Sequence, residues 1–360
     1  MAVKGKGHDG RYILLLLWVF FLVGLVVVPA SAAGGDLEIT GPGLMGSGIV
    51  VTREQLEGRA PLLLPDGTEA LQYDEWYSSI NTWPSKIWYR GQGLRLRDLL
   101  QAAGGLREEA TLIRFTSADG FQVTFTVREL LEEPAYRFPN FMDTGLAGHL
   151  PGDTRGAVPV EPIIAHRSFS AHSKEEIRDG RRFTSADANH LLFGQRGVTQ
   201  QNNARFAKYV AKIEVLTDRV EKWEAPRAVP PPGEVPAGTL VKLYAPLGDE
   251  DKAHYTLDGS DPTIESPMYN LVASRWWSSR GEEGVAEINR PIEIREDTTI
   301  KAVTIGPGKA DSDIVTFSYR VKAEVEAGPE DTGDKRMDKP THLWVMPVAS
   351  LYLILACCGF

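Results

Sequence analysis

Cysteine is nearly absent from this sequence. Of 360 residues only Cys357 and Cys358 carry a thiol, both at the extreme C-terminus. That excludes a disulfide framework and a cysteine metal cluster from the body of the chain. It also excludes a lipid-bearing cysteine directly behind the N-terminal apolar run. Clustered cations are lacking as well: with a net charge of −9 and no basic face, the Lys/Arg footprint that binds nucleic acid is missing. There is no G-x-S-x-G elbow, no Gly-rich phosphate loop behind a strand and no C-x-x-C-H haem attachment. Four of the seven histidines (His149, His166, His172 and His190) share one region, but their spacing matches no short metal motif. They are expected in polar loops.

What is present is the composition of a folded protein, 42% hydrophobic and 24% charged, in a chain long enough for two domains. Residues 1–33 have the layout of a secretory signal. Lys4, Lys6 and Arg11 precede an apolar run, Tyr12–Val28, and then the small residues of "PASAAGG". Cleavage is expected near Ala32 or Ala33. The other reading is an uncleaved anchor, because a span needs about 20 apolar residues. Either way the body is expected to be exported, at the cell surface or held at a membrane. An acidic linker, 323–340, leads to a hydrophobic tail, 341–360. The tail lacks flanking cations on its far side, so a membrane anchor and a buried strand both stay open.

Between 36 and 217 strand-like and helix-like stretches mix. Thr52 with Gln55 three residues on is a capping box, and "GLRLRDLLQAAGG" reads as a helix stopped by Gly104 and Gly105. "TLIRFTSADGFQVTFTV" reads as two strands about a turn at Ala118–Gly120. The stretch Tyr77–Leu100, "YSSINTWPSKIWYRGQGLRLRDLL", reads as an aromatic, amide-bearing loop running into that helix. A Pro-rich segment, 224–238, is expected to be a linker. Beyond it, 239–322 holds only short alternating strands with Gly/Asp/Pro turns, the pattern of a small β-sandwich.

Two stretches bear a family resemblance. "YTLDGSDPT" (Tyr255–Thr263), "PMYN", "PIEI" and "TTIKAV" resemble the chitobiase/hexosaminidase C-terminal type of immunoglobulin-like module, commonly an accessory domain. Over 36–217, the order of "NTWPSKIWYRGQGLRLRDLLQAAG", "TLIRFTSADGFQVTFTVRELL", "VPVEPIIAH" and "LLFGQRGVTQQNNARFAKYVAKIEV" resembles the sulfite-oxidase-type molybdopterin-binding domain. The fold class these imply is α+β: a sulfite-oxidase-like mixed α/β domain followed by an all-β immunoglobulin-like sandwich.

The second resemblance implies a molybdenum–molybdopterin cofactor. Arg196 and Lys208 would grip it, Gly194 would let backbone approach, Gln195 would meet the pterin edge, and Asn81 would lie near the metal. In the family a cysteine ahead of that Asn ligates molybdenum. Here the position is Ser78, with Ser79 beside it. A serine hydroxyl is a harder donor of far higher pKa than a thiol, though a high-valent metal can deprotonate its ligand. Trp76, Tyr77, Trp83, Trp88 and Tyr89 are expected to pack rather than stack on a ligand. Lys86 and Arg90 are expected to be solvated, and Arg275–Trp277 to be core. Two functions are implied. One is an exported molybdopterin-dependent oxidoreductase transferring an oxygen atom or electrons between a small substrate and a redox partner, with Ser78 and Asn81 at the metal. The other is a non-catalytic cell-surface binding or adhesion protein that reuses the fold.

Overall fold

The computed structural model describes residues 35–81, 86–141, 154–179, 183, 185–245, 251–269 and 290–323. The N-terminal apolar run, the C-terminal tail with its cysteines, Trp83, His149 and Arg275–Trp277 lie outside the described residues. Among the described residues no helix is long and apolar enough to cross a membrane.

The first body carries two main sheets. One begins with β1 (Leu37–Thr40) and β2 (Ile49–Val51), whose turn leads to Thr52. The Thr52 side chain accepts from Gln55 N, and the Gln55 side chain accepts from Thr52 N, so the expected capping box closes the short helix α1 (Arg53–Leu56). The other sheet begins with a long hairpin, β3 (Gln72–Ile80) and β4 (Lys86–Arg95), paired antiparallel from Gln72↔Leu94 to Ile80↔Lys86. The stretch read as an aromatic loop is therefore mostly strand. Only α2 (Leu96–Ala102) is helical, buried through Leu96, Leu99 and Leu100 and ended by Gly104 and Gly105 at positive φ. Tyr77 and Trp88 explain the difference: both are buried, and β-sheet pairing is what lets large aromatics and serines share a dry face.

The first sheet is completed by β5 (Leu112–Ser117) and β6 (Gln122–Thr126), which form the expected hairpin. A π-turn, Arg128–Glu132, comes next in place of an ordinary helix. The short pair β7 (Tyr136–Arg137) and β8 (Val158–Pro159) precedes β9 (Ile163–Ala171), α3 (Lys174–Asp179) and β10 (Ser185–Leu192). The last strand of this body is β11 (Val210–Leu216). Sheet orders are β2-β1-β11-β5-β6 and β10-β9-β4-β3, with β1 and β11 parallel. Between them sits the main core, including Leu37, Ile39, Tyr77, Phe115, Phe125, Leu192 and Ile213. A smaller core joins Ile80, Trp88, Phe138, Phe141 and Phe169, with Trp88 and Phe141 meeting edge to face at 5.2 Å.

The Pro-rich segment expected to be a linker carries two strands, β12 (Arg227–Val229) and β13 (Gly233–Val235). Each sits at a sheet edge and contains no proline; Pro226, Pro230, Pro231, Pro232 and Pro236 fall before, between and behind them. With β14 (Thr239–Tyr244), β15 (Lys252–Thr256), β16 (Met268–Tyr269), β17 (Ile292–Ile294), β18 (Thr298–Ile305) and β19 (Val315–Val321) they form sheets β12-β14-β17 and β13-β19-β18-β15-β16. Val241, Leu243, Ile294, Ile300 and Tyr319 fill the sandwich interior. The β18–β19 connection, around Gly306–Asp311, lies against the first body: Gly308 N donates to both oxygens of Glu129, at 3.0 and 2.9 Å.

Candidate functional site

Ser78 is fully buried on β3, beside the loop after β10 that carries Gly194–Arg205. Its hydroxyl donates to Gln195 Oε1 at 2.5 Å and accepts from Phe138 N at 2.9 Å. The direction of the first bond is fixed from the far side of the amide, because Gln195 Nε2 donates to Gln200 O at 2.8 Å. Turning the amide over would set two acceptors against each other, so Oε1 must face Ser78 and Ser78 must keep its proton. Backbone bonds in both directions tie Gln195 to Tyr136. Gly194 is small for a packing reason: a Cβ there would sit 2.7 Å from Val160 Cγ2 and 2.8 Å from Tyr136 N.

The amides that follow Gln195 in this loop, Gln201, Asn202 and Asn203, are engaged inside the protein. Asn202 N donates to Ile80 O at 3.2 Å, and its side-chain oxygen accepts from Ile80 N at 3.3 Å. Asn203 Nδ2 donates to Ser79 Oγ and to Tyr89 OH, at 3.0 and 2.9 Å. Gln201 Nε2 donates to Asn81 O at 2.9 Å, while Asn81 itself lies at the exposed end of β3. These bonds act as a strap that lays the loop along β3. Buried polar groups need partners, and each amide finds one in the neighbouring strands.

Arg196 is engaged elsewhere. Its side chain is 10% exposed and pairs with Glu133 at 2.9 Å, with a longer bond to Gly306 O at 3.4 Å. It lines a cavity of about 290 Å³ at the seam with the sandwich, beside Glu129, Lys309 and Asp311. Burial raises the pKa of Glu129 against the pull of Arg196, and burial likewise raises that of Asp311. Lys208 is exposed on the surface. The structure thus gathers Ser78, Gly194 and Gln195 in one buried knot, engages Arg196 at the interdomain seam and leaves Lys208 in solvent.

Other expectations change too. Lys86 is buried rather than solvated, and burial pulls its ammonium pKa down. Arg90 is held by Asp74 at 2.6 and 2.9 Å. Tyr77 packs as expected, its hydroxyl donating to Glu161 O at 2.8 Å. His166 and His190 lie in strands, not loops; His190 is buried, with Nδ1 2.8 Å from Ser168 Oγ. Burial, helped by Lys208, lowers the His190 pKa to about 3.

A molybdopterin needs a metal donor that can lose its proton, a cation for its terminal phosphate and free amides for its ring edge. Ser78 holds its proton for Gln195, Arg196 is turned to Glu133, which it shares with Arg128, and Gln195 and Asn202 are bonded within the chain. The donor set, as it stands, does not fit the group.

A second collection of side chains was not visible in the sequence. Arg53 and Glu57 from α1 and its C-cap, Arg59 behind it, and Gln72, Gln92, His166 and Arg167 line a surface bowl of about 350 Å³. No local motif marks it, because separate segments contribute. The one sequence signal is Gly93, where a Cβ would run into Ile164 O.

Residues 247–319 match the family model described as "Fn3 associated", consistent with a β module in the C-terminal part. Among curated proteins none matches this chain. Among solved structures, the sulfane dehydrogenase SoxCD from Paracoccus pantotrophus aligns at 10% identity and a TM-score of 0.27, covering 81% of this chain and 76% of that one.

Proposed function

We propose that this is an exported, non-redox binding protein. Its first body has the order of segments of a sulfite-oxidase-type domain without that domain's metal chemistry, and its sandwich is an accessory module. One observation carries the reading: the hydroxyl at the thiolate position is a proton donor locked onto Gln195 Oε1, whose amide is oriented by Gln200 O. A serinate there would face the lone pairs of that amide oxygen. The Ser78 segment therefore serves to fasten the loop after β10 to β3, and ligands bind elsewhere on the surface. The test is the molybdenum, tungsten and pterin content of the full chain purified from a host that makes the cofactor. Substoichiometric metal without releasable pterin is expected. One metal and one pterin per chain, both lost in Ser78→Ala, would overturn the reading.

A second reading, a cofactor-bearing oxidoreductase, is favoured by Lys86. A buried ammonium near Asn81 in the sequence gains from an anion placed next to it. The same metal and pterin assay decides between the two.

A further inference from the structure

The bowl between α1 and the β3–β4–β9 sheet is separate from the Ser78 segment. It lies at the Gln72 end of β3, six residues and about 20 Å along the strand from Ser78. Its chemistry is therefore independent of whether that segment holds a metal.

A backbone irregularity builds the bowl. Gln92 on β4 pairs with Arg167 on β9, but the next pair is Gly93 with Ala165, so His166 is an extra residue without an opposite number. The same residue is skipped where β9 meets β10, which pairs Ala186 with Arg167 and His190 with Ala165. A bulge of this kind re-aims side chains and is common beside functional sites. Here His166 and Arg167 both line the bowl. Gly93 makes this possible, since any larger residue would run into β9 at Ile164 O and Ala165 Cα.

The lining is cationic. Among the described lining residues three guanidiniums, those of Arg53, Arg59 and Arg167, stand against one carboxylate, Glu57, and Arg53 Nη1 also donates to Asn189 Oδ1 at 3.5 Å. Glu57 accepts from Arg53 at 2.5 Å with one oxygen and pairs with Arg59 at 2.5 Å with the other; Arg59 also lies 3.8 Å from Glu54. Arg167 Nε donates to Gln92 Oε1 at 2.5 Å, and its guanidinium stacks 4.5 Å from the Phe183 ring. That arrangement orients a planar fork of donors. Several guanidiniums around one open depression are the usual means of holding a tetrahedral oxyanion.

Two further atoms narrow the ligand. Gln72 Oε1 and His166 Nδ1 are buried and unpartnered, and both residues line the bowl. Gln72 Nε2 donates to Leu56 O at 3.0 Å, which fixes Oε1 as the atom left over. The His166 ring also bonds the Leu56 backbone, and His166 is 9% exposed. Burial first, then Arg167 and Arg53, pushes its pKa down, so at neutral pH Nδ1 is an acceptor. Buried acceptors without donors are costly and call for an explanation. A fully ionised anion would satisfy the arginines and leave both acceptors bare. An oxyanion that carries two hydroxyls, as dihydrogen phosphate does, supplies one donor to each acceptor and oxygens to the arginines.

We propose that this bowl is a binding site for a phosphate-class oxyanion bearing two hydroxyls, gripped by Arg53, Arg59 and Arg167 and donating one hydroxyl to His166 and the other to Gln72.

The test is NMR of the His166 imidazole in the full chain, assigned with a His166→Gln variant. The chain is titrated at neutral pH with inorganic phosphate, then with sulfate and with chloride at matched ionic strength. A saturable movement with phosphate is expected, at least tenfold weaker with sulfate and absent with chloride. Arg59→Gln and Arg167→Gln change exposed side chains, so these variants fold, and each is expected to weaken phosphate at least tenfold. A response linear in phosphate, an equal response to chloride, sulfate binding as tight as phosphate, or unchanged affinity in both arginine variants would overturn the assignment. Calorimetry on the same four proteins gives an independent affinity.

Discussion

Ser78→Ala removes one hydroxyl and strands two buried groups, the Gln195 Oε1 acceptor and the Phe138 N–H donor. Each unpaired buried group costs about 1–3 kcal/mol, so stranding two is expected to cost about 2–6 kcal/mol, little of it recovered through relaxation in a site that is fully buried. At about 2–4 °C per kcal/mol for a body of this size, the lower end of that range is a shift of roughly 4–8 °C in Tm and the upper end more. The assay is chemical denaturation followed by tryptophan fluorescence, run as a cycle with Gln195→Ala and the double variant. Gln195→Ala should cost more than Ser78→Ala, because it also releases Gln200 O. The coupling between the two should be about 1 kcal/mol or more, as for residues in one hydrogen-bond network. If Ser78→Ala changed stability by less than about 0.5 kcal/mol, the range of an ordinary surface change, and showed no coupling to Gln195, the serine would not be a structural fastener. A metal ligand awaiting its ion would behave in that way.

Three other outcomes are expected. Arg196→Ala takes one of two guanidiniums from Glu133, which keeps Arg128 at 2.9 Å on its other oxygen, and removes a contact to Gly306. Because Glu133 is partly exposed and keeps Arg128, the cost should be about 1 kcal/mol, well below that of breaking a fully buried pair, and proteolysis between the two bodies should speed up; unchanged cleavage rates would refute the seam's role. Gly93→Ala drives a methyl into Ile164 O and should destabilise the first body by about 3 kcal/mol or more, with loss of the phosphate response at His166; a near-neutral variant would contradict the bulge geometry. Burial lowers His190 to about 3 and His254 to about 4, from an ordinary 6.5. The unfolded chain therefore binds more protons in that window. Their contribution to stability is complete above pH 6.5 and is lost as pH falls toward 3–4. Both rings should stay neutral by NMR at pH 5 in the folded protein; titration near 6.5 would refute their burial.

Local rules made part of the fold legible. The Thr52–Gln55 capping box, the β5–β6 hairpin and the strands of the sandwich are short-range signals, and each stands where spacing places it. The β3–β4 hairpin was obscured because its serines and aromatics read as loop chemistry, when cross-strand burial is what they serve. The segment 224–238 reads as linker by composition, yet its prolines flank two three-residue edge strands rather than interrupt them. At the candidate site the sequence identifies Ser78 and Gln195 as chemically unusual positions. It does not show that they bond to each other, because that depends on how far the loop after β10 folds back along β3. The basic bowl was out of reach for a stronger reason: a register shift of one residue on β9 brings His166 and Arg167 to its lining. No composition or spacing rule reports a register shift.

The most direct measurement is metal content in a Ser78→Cys variant, expressed as the full chain in a host that makes molybdopterin and checked for native folding by circular dichroism. If the segment is a closed structural knot, restoring the thiol restores no cofactor, because Gln195 and Asn202 remain bonded along β3 and Arg196 remains paired with Glu133. Recovery of one molybdenum per chain, lost again on Arg196→Ala, would contradict the account and show an intact cofactor site lacking only its sulfur ligand.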